Sequence, residues 1–170
     1  MTNNEKKADP EAVRQVMRMW TTGVTIVTSC YDGLRHGMTV SSFTSVTLAP
    51  PLVMISLQRS SRTHGLIVGS GVFGVTILEE TQQEISDRFA GRTPDDEDRF
   101  AGLKTFTMAT GSPFIAGALA YLDCEVERMI QLGEHTLFFG EVIALQTAPA
   151  GRPLAYHNRE YRFLRPHEES

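Results

Sequence analysis

Apolar and polar positions change their period several times along the chain, and each change marks an element. Asp9 stands as a helix N-cap with Pro10 at the first helical position, after which Val13, Val16, Met17 and Trp20 recur at helical spacing. One amphipathic helix therefore opens the domain. From Gly23 the pattern turns strand-like: Val24 to Cys30 is rich in β-branched residues, with Val24, Ile26 and Thr28 on one face and Thr25, Val27 and Ser29 on the other, neither cleanly polar. Asp32-Gly33 supplies a hairpin turn, and Arg35 to Thr44 returns as the partner strand. Pro50 and Pro51 cannot donate to a ladder and precede the next strand, Leu52 to Leu57, whose mostly apolar run is that of a buried strand.

The second half continues in the same manner. Val72 to Leu78 reads as a strand, and Thr81-x-x-Glu84 as a capping box opening a helix that carries Ile85 and Phe89 on one face until Gly91 ends it. Arg92 to Arg99, with Asp95, Asp96, Glu97 and Asp98, reads as an exposed, mobile acidic loop rather than a metal site. Leu122, Cys124 and Val126 alternate with Asp123, Glu125 and Glu127, the pattern of a strand with one buried and one wet face. Gly133-Glu134 turns this strand into His135 to Leu145, a second long hairpin, and after a Pro149 to Pro153 loop Leu154 to Leu164 closes the chain with aromatic residues interleaved by charge. Many strands and few helices predict a mainly β fold, a closed or partly closed antiparallel barrel.

Composition narrows the function classes. At 170 residues the chain fits one domain, expected over 9–165 between a disordered polar tail at 1–8 and a short tail at 166–170. No long apolar segment follows the polar start, so a cytoplasmic protein with no membrane anchor is expected. Cys30 and Cys124 stand far apart and read as small buried hydrophobes. His36, His64, His135, His157 and His167 never take the i, i+4 spacing of a helical metal pair, so no metal is expected. A net charge of −4 with dispersed Lys and Arg gives no basic stripe for nucleic acid.

Two stretches carry candidate chemistry. From Gly37 to Pro51, the small hydroxyl residues Thr39, Ser41, Ser42, Thr44, Ser45 and Thr47 are set among Val40, Phe43 and Val46. Short hydroxyl side chains let a ligand approach the main chain, so that N–H and Oγ groups can both donate to its oxygens. The same composition suits a Ser/Thr-rich edge strand whose hydroxyls satisfy one another and water. Gln58-Arg59-Ser60-Ser61-Arg62-Thr63-His64 joins two guanidinium groups and three hydroxyls to the start of a helix, an arrangement that suits an anion. The competing reading is a solvated turn in which Ser61 merely caps that helix.

Four motifs together resemble the flavin reductase family, the small NAD(P)H-dependent enzymes that feed reduced flavin to partner monooxygenases. They are Gly23-Val-Thr-Ile-Val-Thr28, Gly37-Met-Thr-Val-Ser-Ser-Phe43 followed by Pro50-Pro51, Gly133-Glu-His-Thr136 and Pro153-Leu-Ala-Tyr156, and the resemblance runs from about Val13 to Leu164. It implies a split β-barrel of the Greek-key antiparallel type that binds FMN or FAD, takes NADH or NADPH as hydride donor, and forms a homodimer with the flavin near the subunit interface. By position, Thr39, Val40, Ser41 and Ser42 would line the isoalloxazine and ribityl chain, with Ser45 and Val46 nearby. Gln58, Arg59, Ser60, Ser61 and Thr63 would meet ribityl and phosphate oxygens, and Phe89 and Arg92 would border the outer phosphate or an adenine. His135 resembles the histidine that the family places beside the nicotinamide in a Gly-Asp-His turn, with Glu134 here in place of the Asp, and Tyr156 would flank the same pocket. Two other readings compete: a flavin-binding module or electron carrier without rapid nicotinamide oxidation, and an oxidase of the wider split-barrel group acting on a small substrate such as a pyridoxine phosphate.

Overall fold

The computed structural model describes residues 8–92 and 98–165. In chain order the elements are α1 (Pro10–Met17), β1 (Thr22–Gly23), β2 (Thr25–Tyr31), β3 (Leu34–Val40), β4 (Thr44–Leu48), β5 (Pro51–Gln58), α2 (Arg62–Ser70) and β6 (Val72–Ile77). A short 3-10 turn (Glu80–Gln82) leads into α3 (Gln83–Asp87) and a wider helical turn (Arg88–Arg92), followed by β7 (Thr105–Thr107), β8 (Pro113–Ile115), β9 (Ala120–Leu132), β10 (His135–Thr147), β11 (Leu154–His157) and β12 (Glu160–Phe163). Seven strands form one antiparallel sheet in the order β3-β2-β6-β9-β10-β5-β4, with a small sheet β1-β11-β12 beside it.

The large sheet is strongly curled, because residues from opposite ends of it meet in one core. Val40 of β3 packs in the same buried cluster as Val53, Ile55 and Leu57 of β5, with Phe73, Cys124 and Phe138 between them. Curling brings close approaches that only glycine permits: a Cβ on Gly140 would stand 2.4 Å from Phe73 Cζ, and the ladder between β9 and β10 is irregular at that point. A second cluster, Val24, Ile26, Leu78, Phe89, Phe100 and Leu154, fastens the small sheet and the α3 region to the barrel. This is the antiparallel barrel that the strand count predicts, in the split form that the family resemblance implies.

Helix α2 is the largest attachment to the barrel. Ser61 caps it by accepting from the His64 amide at 3.3 Å, and Gly71, in the left-handed region at φ 72°, ends it. Its inner face then docks by polar contacts: Thr63 bonds His36 Nδ1 of β3 at 2.8 Å, and His64 Nε2 bonds Thr136 Oγ1 of β10 at 2.9 Å while its ring stands edge-on to Phe138. Burial first, and the Arg59 guanidinium second, hold the His64 imidazole below its ordinary range.

Several expectations are corrected. Asp123 does not face water: it is fully buried and accepts from the Thr110 amide at 2.8 Å and the Thr110 hydroxyl at 2.5 Å, so hydrogen bonding overrides the alternation. The capping box is made two residues earlier than expected, by Glu79 and Gln82 rather than by Thr81 and Glu84. Strand β5 is buried on one face only, through Val53, Ile55 and Leu57, while Leu52, Met54 and Ser56 are half-buried. The apolar stripe of α1 covers no core, and Val16, Met17 and Trp20 are exposed. Cys124 is buried as expected, and burial followed by the Asp123 charge pushes its thiol up to about 12; Cys30 is only half-buried. The expected tail at 1–8, all but its last residue, the C-terminal tail and most of the acidic loop lie outside the described residues. No helix among the described residues is long and apolar enough to cross a membrane.

Two predictions follow from these contacts. Asp123→Ala strands both Thr110 donors and should cost roughly 2–4 kcal/mol, seen as a lowered urea midpoint at constant slope. His64 has a folded-state pKa below its unfolded value, so its neutral contacts contribute fully above the ordinary histidine pKa, and the contribution is lost as pH falls through the window beneath it. Urea midpoints measured at about pH 7.5 and about pH 5 should therefore drop less in His64→Gln, which can still bond Thr136, than in the parent chain.

Candidate functional site

The site grows from the end of β3. Odd-numbered residues of this strand face the α3 region: a Cβ on Gly37 would stand 2.9 Å from Phe89 Cε1, so the missing side chain is what lets Phe89 lie against the strand. Arg99 donates to the carbonyls of both Gly37 and Phe89 at 3.2 Å, and the Thr39 hydroxyl donates to the Ser86 carbonyl at 2.6 Å. Strand and helical turn are thereby fixed to each other as two walls.

Beyond Val40 the ladder stops. Val40 turns into the core, its carbonyl accepting from the Thr25 hydroxyl at 2.8 Å, and residues 41–43 cross to β4 without strand pairing. Ser42 bridges the gap. Its hydroxyl donates to the Ser56 carbonyl at 2.8 Å and accepts from the Ser56 amide at 3.2 Å, doing for β5 what a neighbouring strand would do. Among the described residues, the amides of Ser41, Ser42 and Phe43 donate to no backbone carbonyl outside the strand ladders, so the crossing presents main-chain donors as well as hydroxyls.

Four depressions surround it. One of about 530 Å³ lies between Thr39, Ser41, Ser86, Asp87, Tyr156 and Tyr161. A second of about 450 Å³ lies on the other side of Thr39, against Ser60, Ser61, Arg62 and Phe89. A third of about 540 Å³ is lined by Trp20, Ser41, Ser42, Phe43, Met54 and Ser56. A fourth of about 400 Å³ joins Ser41 and Ser42 to Trp20, Tyr156 and Arg159. Thr39 is common to the first two, and Ser41 to the first, third and fourth. The hydroxyl crossing is thus a low ridge inside one groove of the size that holds cofactors, and its donors fit a ring system with carbonyl edges and a polyhydroxyl chain.

The electrostatics of the second depression suit a phosphate. It opens at the N-terminus of α2, with Arg62 on its rim, and the turn before the helix is fixed by the Arg59 amide donating to the Glu134 carbonyl at 2.8 Å. Burial first and Arg59 second disfavour a proton on His64, so the positive character of the helix start comes from its amides and arginines.

The predicted residues are thereby sorted. Thr39, Ser41, Ser42, Ser60, Ser61, Thr63, Phe89 and Tyr156 line the groove. Thr63 and Phe89 do so from beneath, being buried. Val40 belongs to the core, and Ser45 and Val46 sit on the exposed edge strand β4, lining none of the four depressions. Gln58 pairs with His135 across β5 and β10 on the outer face of the sheet, two residues along from Ser56. His135 is exposed and lines none of the four depressions, so a single copy of the chain does not bring it together with Tyr156. Arg92 ends the helical turn, and its side chain lies outside what is described.

Some lining residues carry no signal in the sequence. Tyr161 Oη stands 2.8 Å from Asp87 Oδ1 and 2.9 Å from Ser86 Oγ, joining β12 to α3 across the first depression, with the Tyr156 and Tyr161 rings edge-on. Asp87, Ser86 and Arg99 are brought in by chain crossings that no local pattern announces; only the aromatic alternation of Tyr156 and Tyr161 marks that hairpin beforehand. Among the described residues no group of His, Cys, Asp and Glu is arranged to hold a metal ion.

The model of the flavin reductase like domain matches residues 17–165. The reductase subunit HsaB of a flavin-dependent monooxygenase from Rhodococcus jostii (strain RHA1) is 37% identical over 158 residues, covering 93% of this chain and 80% of that protein. The NADH-dependent flavin reductase StyB of Pseudomonas fluorescens is 40% identical over 146 residues, 85% of this chain and 83% of its own length. Among solved structures, nitrilotriacetate monooxygenase component B from Mycobacterium thermoresistibile has a TM-score of 0.87 at 38% identity, covering 94% of this chain and 89% of that one. The NADH:FAD oxidoreductase SgcE6 of Streptomyces globisporus C-1027, in complex with NAD and FAD fragments, has a TM-score of 0.87 at 33% identity, covering 96% and 99%. A match of this extent takes in the ridge, both its walls and the β11–β12 hairpin, and the chain belongs to the flavin reductase family, as a flavin oxidoreductase on a split β-barrel.

Proposed function

We propose that the protein reduces free FMN or FAD with NADH, in the cytoplasm, and releases the reduced flavin to a separate flavin-dependent monooxygenase. One observation carries this reading: a ridge of small hydroxyl residues and main-chain amides lies in a groove whose far side, across Thr39, is the phosphate-friendly start of α2. That is the polarity of a flavin nucleotide laid along the groove, ring on the ridge and phosphate at the helix. NADH rather than NADPH is favoured by the relatives whose names specify the donor, among them StyB.

When bound, the flavin accepts at N5 the hydride that dihydronicotinamide gives up from C4, and NAD leaves oxidised. The chain's own groups are left with positioning and charge. The Ser41 hydroxyl, with the main-chain amides of the crossing, donates toward the ring edge where negative charge grows, while the Ser42 hydroxyl stays on Ser56. Ser60 and the α2 amides hold the phosphate, with Arg59 and Arg62 supplying field, while the Ser61 hydroxyl caps the helix and donates to the Gln58 carbonyl. Tyr156 borders the space left for the donor ring, which must reach near-contact distance. His135 orients the nicotinamide.

A homodimer is part of this reading. The exposed apolar residues of α1 and the outer face of β10, where His135 stands in register with Gln58, support a second copy packing there, which would bring a His135 to a groove it does not reach within one chain.

The test is steady-state NADH oxidation with excess free FMN or FAD. Sustained turnover is expected, and a protein that binds flavin but does not oxidise NADH would sink the proposal. His135→Ala should raise the KM for NADH or slow flavin reduction by about tenfold while flavin affinity, measured by fluorescence quenching, stays within about twofold. Equal loss of flavin binding would refute the role. Ser41→Leu should abolish flavin binding with an unchanged Tm, because Ser41 is exposed and fills only the ligand's space. Ser42→Ala should instead lower the Tm, because it removes the clamp on Ser56.

A further inference from the structure

The tip of the β11–β12 hairpin holds an arginine where the backbone favours glycine or asparagine. Asn158 and Arg159 form the turn with φ of 49° and 65°, both left-handed. Asn tolerates that region through its short polar side chain, and Gly through having none, whereas Arg has neither advantage. The tip is also held in place: the Asn158 amide donates to the Arg18 carbonyl at 2.9 Å, and His157 Nδ1 bonds the Thr21 hydroxyl at 2.9 Å. A strained residue on an anchored turn is a pre-positioned one.

Its surroundings indicate what it is positioned for. Arg159 lines both the first and the fourth depressions, one on each side of Ser41. The carboxylates that share this wall are engaged elsewhere, Asp87 by the Tyr161 hydroxyl at 2.8 Å and Glu160 by Arg162 at 2.5 Å. Among the described residues Arg159 itself enters no ion pair. A guanidinium on a cavity rim, unengaged by the neighbouring acids, is a receptor for phosphate oxygens. The flavin's own phosphate is already served across Thr39 by the start of α2, which leaves Arg159 for a different anion.

We propose that Arg159 is a donor-recognition residue that binds the diphosphate of NADH, and so selects a dinucleotide over a bare dihydronicotinamide. This rests on the flavin reductase reading. Arg159→Ala should raise the KM for NADH about tenfold, the order of one lost charge-assisted contact, and should weaken binding of NAD measured calorimetrically by a similar factor. The KM for 1-benzyl-1,4-dihydronicotinamide, which has no phosphate, should move less than about twofold, and flavin affinity likewise. Arg159→Lys should recover part of the loss. Arg159→Gly, which relieves the turn, should keep or raise the Tm while still raising the KM for NADH. An unchanged KM for NADH in Arg159→Ala, a parallel change for both donors, or an equal loss of flavin binding would each overturn this inference. If the parent protein oxidised neither donor, the reductase reading itself would fall, and this inference with it.

Discussion

A sheet that ran unbroken from β3 into β4 would have no site. At Ser42 one hydroxyl takes both Ser56 backbone groups, donating at 2.8 Å and accepting at 3.2 Å, and thus satisfies the inner strand where a partner strand is missing. Without that substitution the gap would leave backbone groups unpaired at a partly buried position, which is expensive. With it, the chain can cross from one edge of the curled sheet to the other while its own amides stay available. A longer side chain at 42 would reach past Ser56, and an apolar one would leave it unsatisfied. The chemical requirement of the site and the structural requirement of the barrel are met by the same small residue.

The second constraint is that the groove has a rigid opposite wall. Gly37, Thr39 and Arg99 lock the Ser86–Phe89 segment onto β3, and Tyr161 locks the β12 hairpin onto the same segment through Asp87 and Ser86. Three parts of the chain, about fifty residues or more apart in sequence, are therefore positioned against one another by hydrogen bonds that are mostly buried or half-buried. A pocket built this way holds its shape before any ligand arrives, and little binding energy is lost in ordering it.

The sequence discloses this architecture unevenly, for physical reasons. Elements whose signal is local are legible: Asp9 before Pro10, the Asp32-Gly33 turn, Ser61 before α2 and the Gly133-Glu134 turn all act within a few residues, and all stand where they were expected. The hydroxyl ridge and the start of α2 are also visible, since unusual composition marks them. What the sequence hides is whatever depends on a distant partner. Asp123 looks like a solvated strand residue until Thr110, thirteen positions earlier, is placed against it. Thr63 and Phe89 line the second depression only from beneath, because Thr63 is tied to His36 by a hydrogen bond and Gly37 leaves room for the Phe89 ring to sink against β3. His135 shows the limit most clearly: its turn is readable, yet its distance from Tyr156 is set by the barrel's curvature and not by any motif.

The groove keeps its positive groups apart, and this separation has a chemical use. At one end the start of α2, with Arg62, lies beside Ser60 and Ser61 on one side of Thr39; at the other, Arg159 at the hairpin tip lies beside Ser41, with Asp87 and Glu160 lining the same depression. Two anionic ligands in one groove repel each other, and at a separation of several ångströms in a partly dehydrated site that repulsion is not small. In the proposed reading, a counter-charge for each at opposite ends would let the rings meet near Ser41 while the phosphates stay as far apart as the molecules allow. The same arrangement works after transfer. Negative charge added to a reduced ring would there meet hydroxyls and amides rather than a full positive charge, which would favour departure of both an oxidised donor and a reduced flavin.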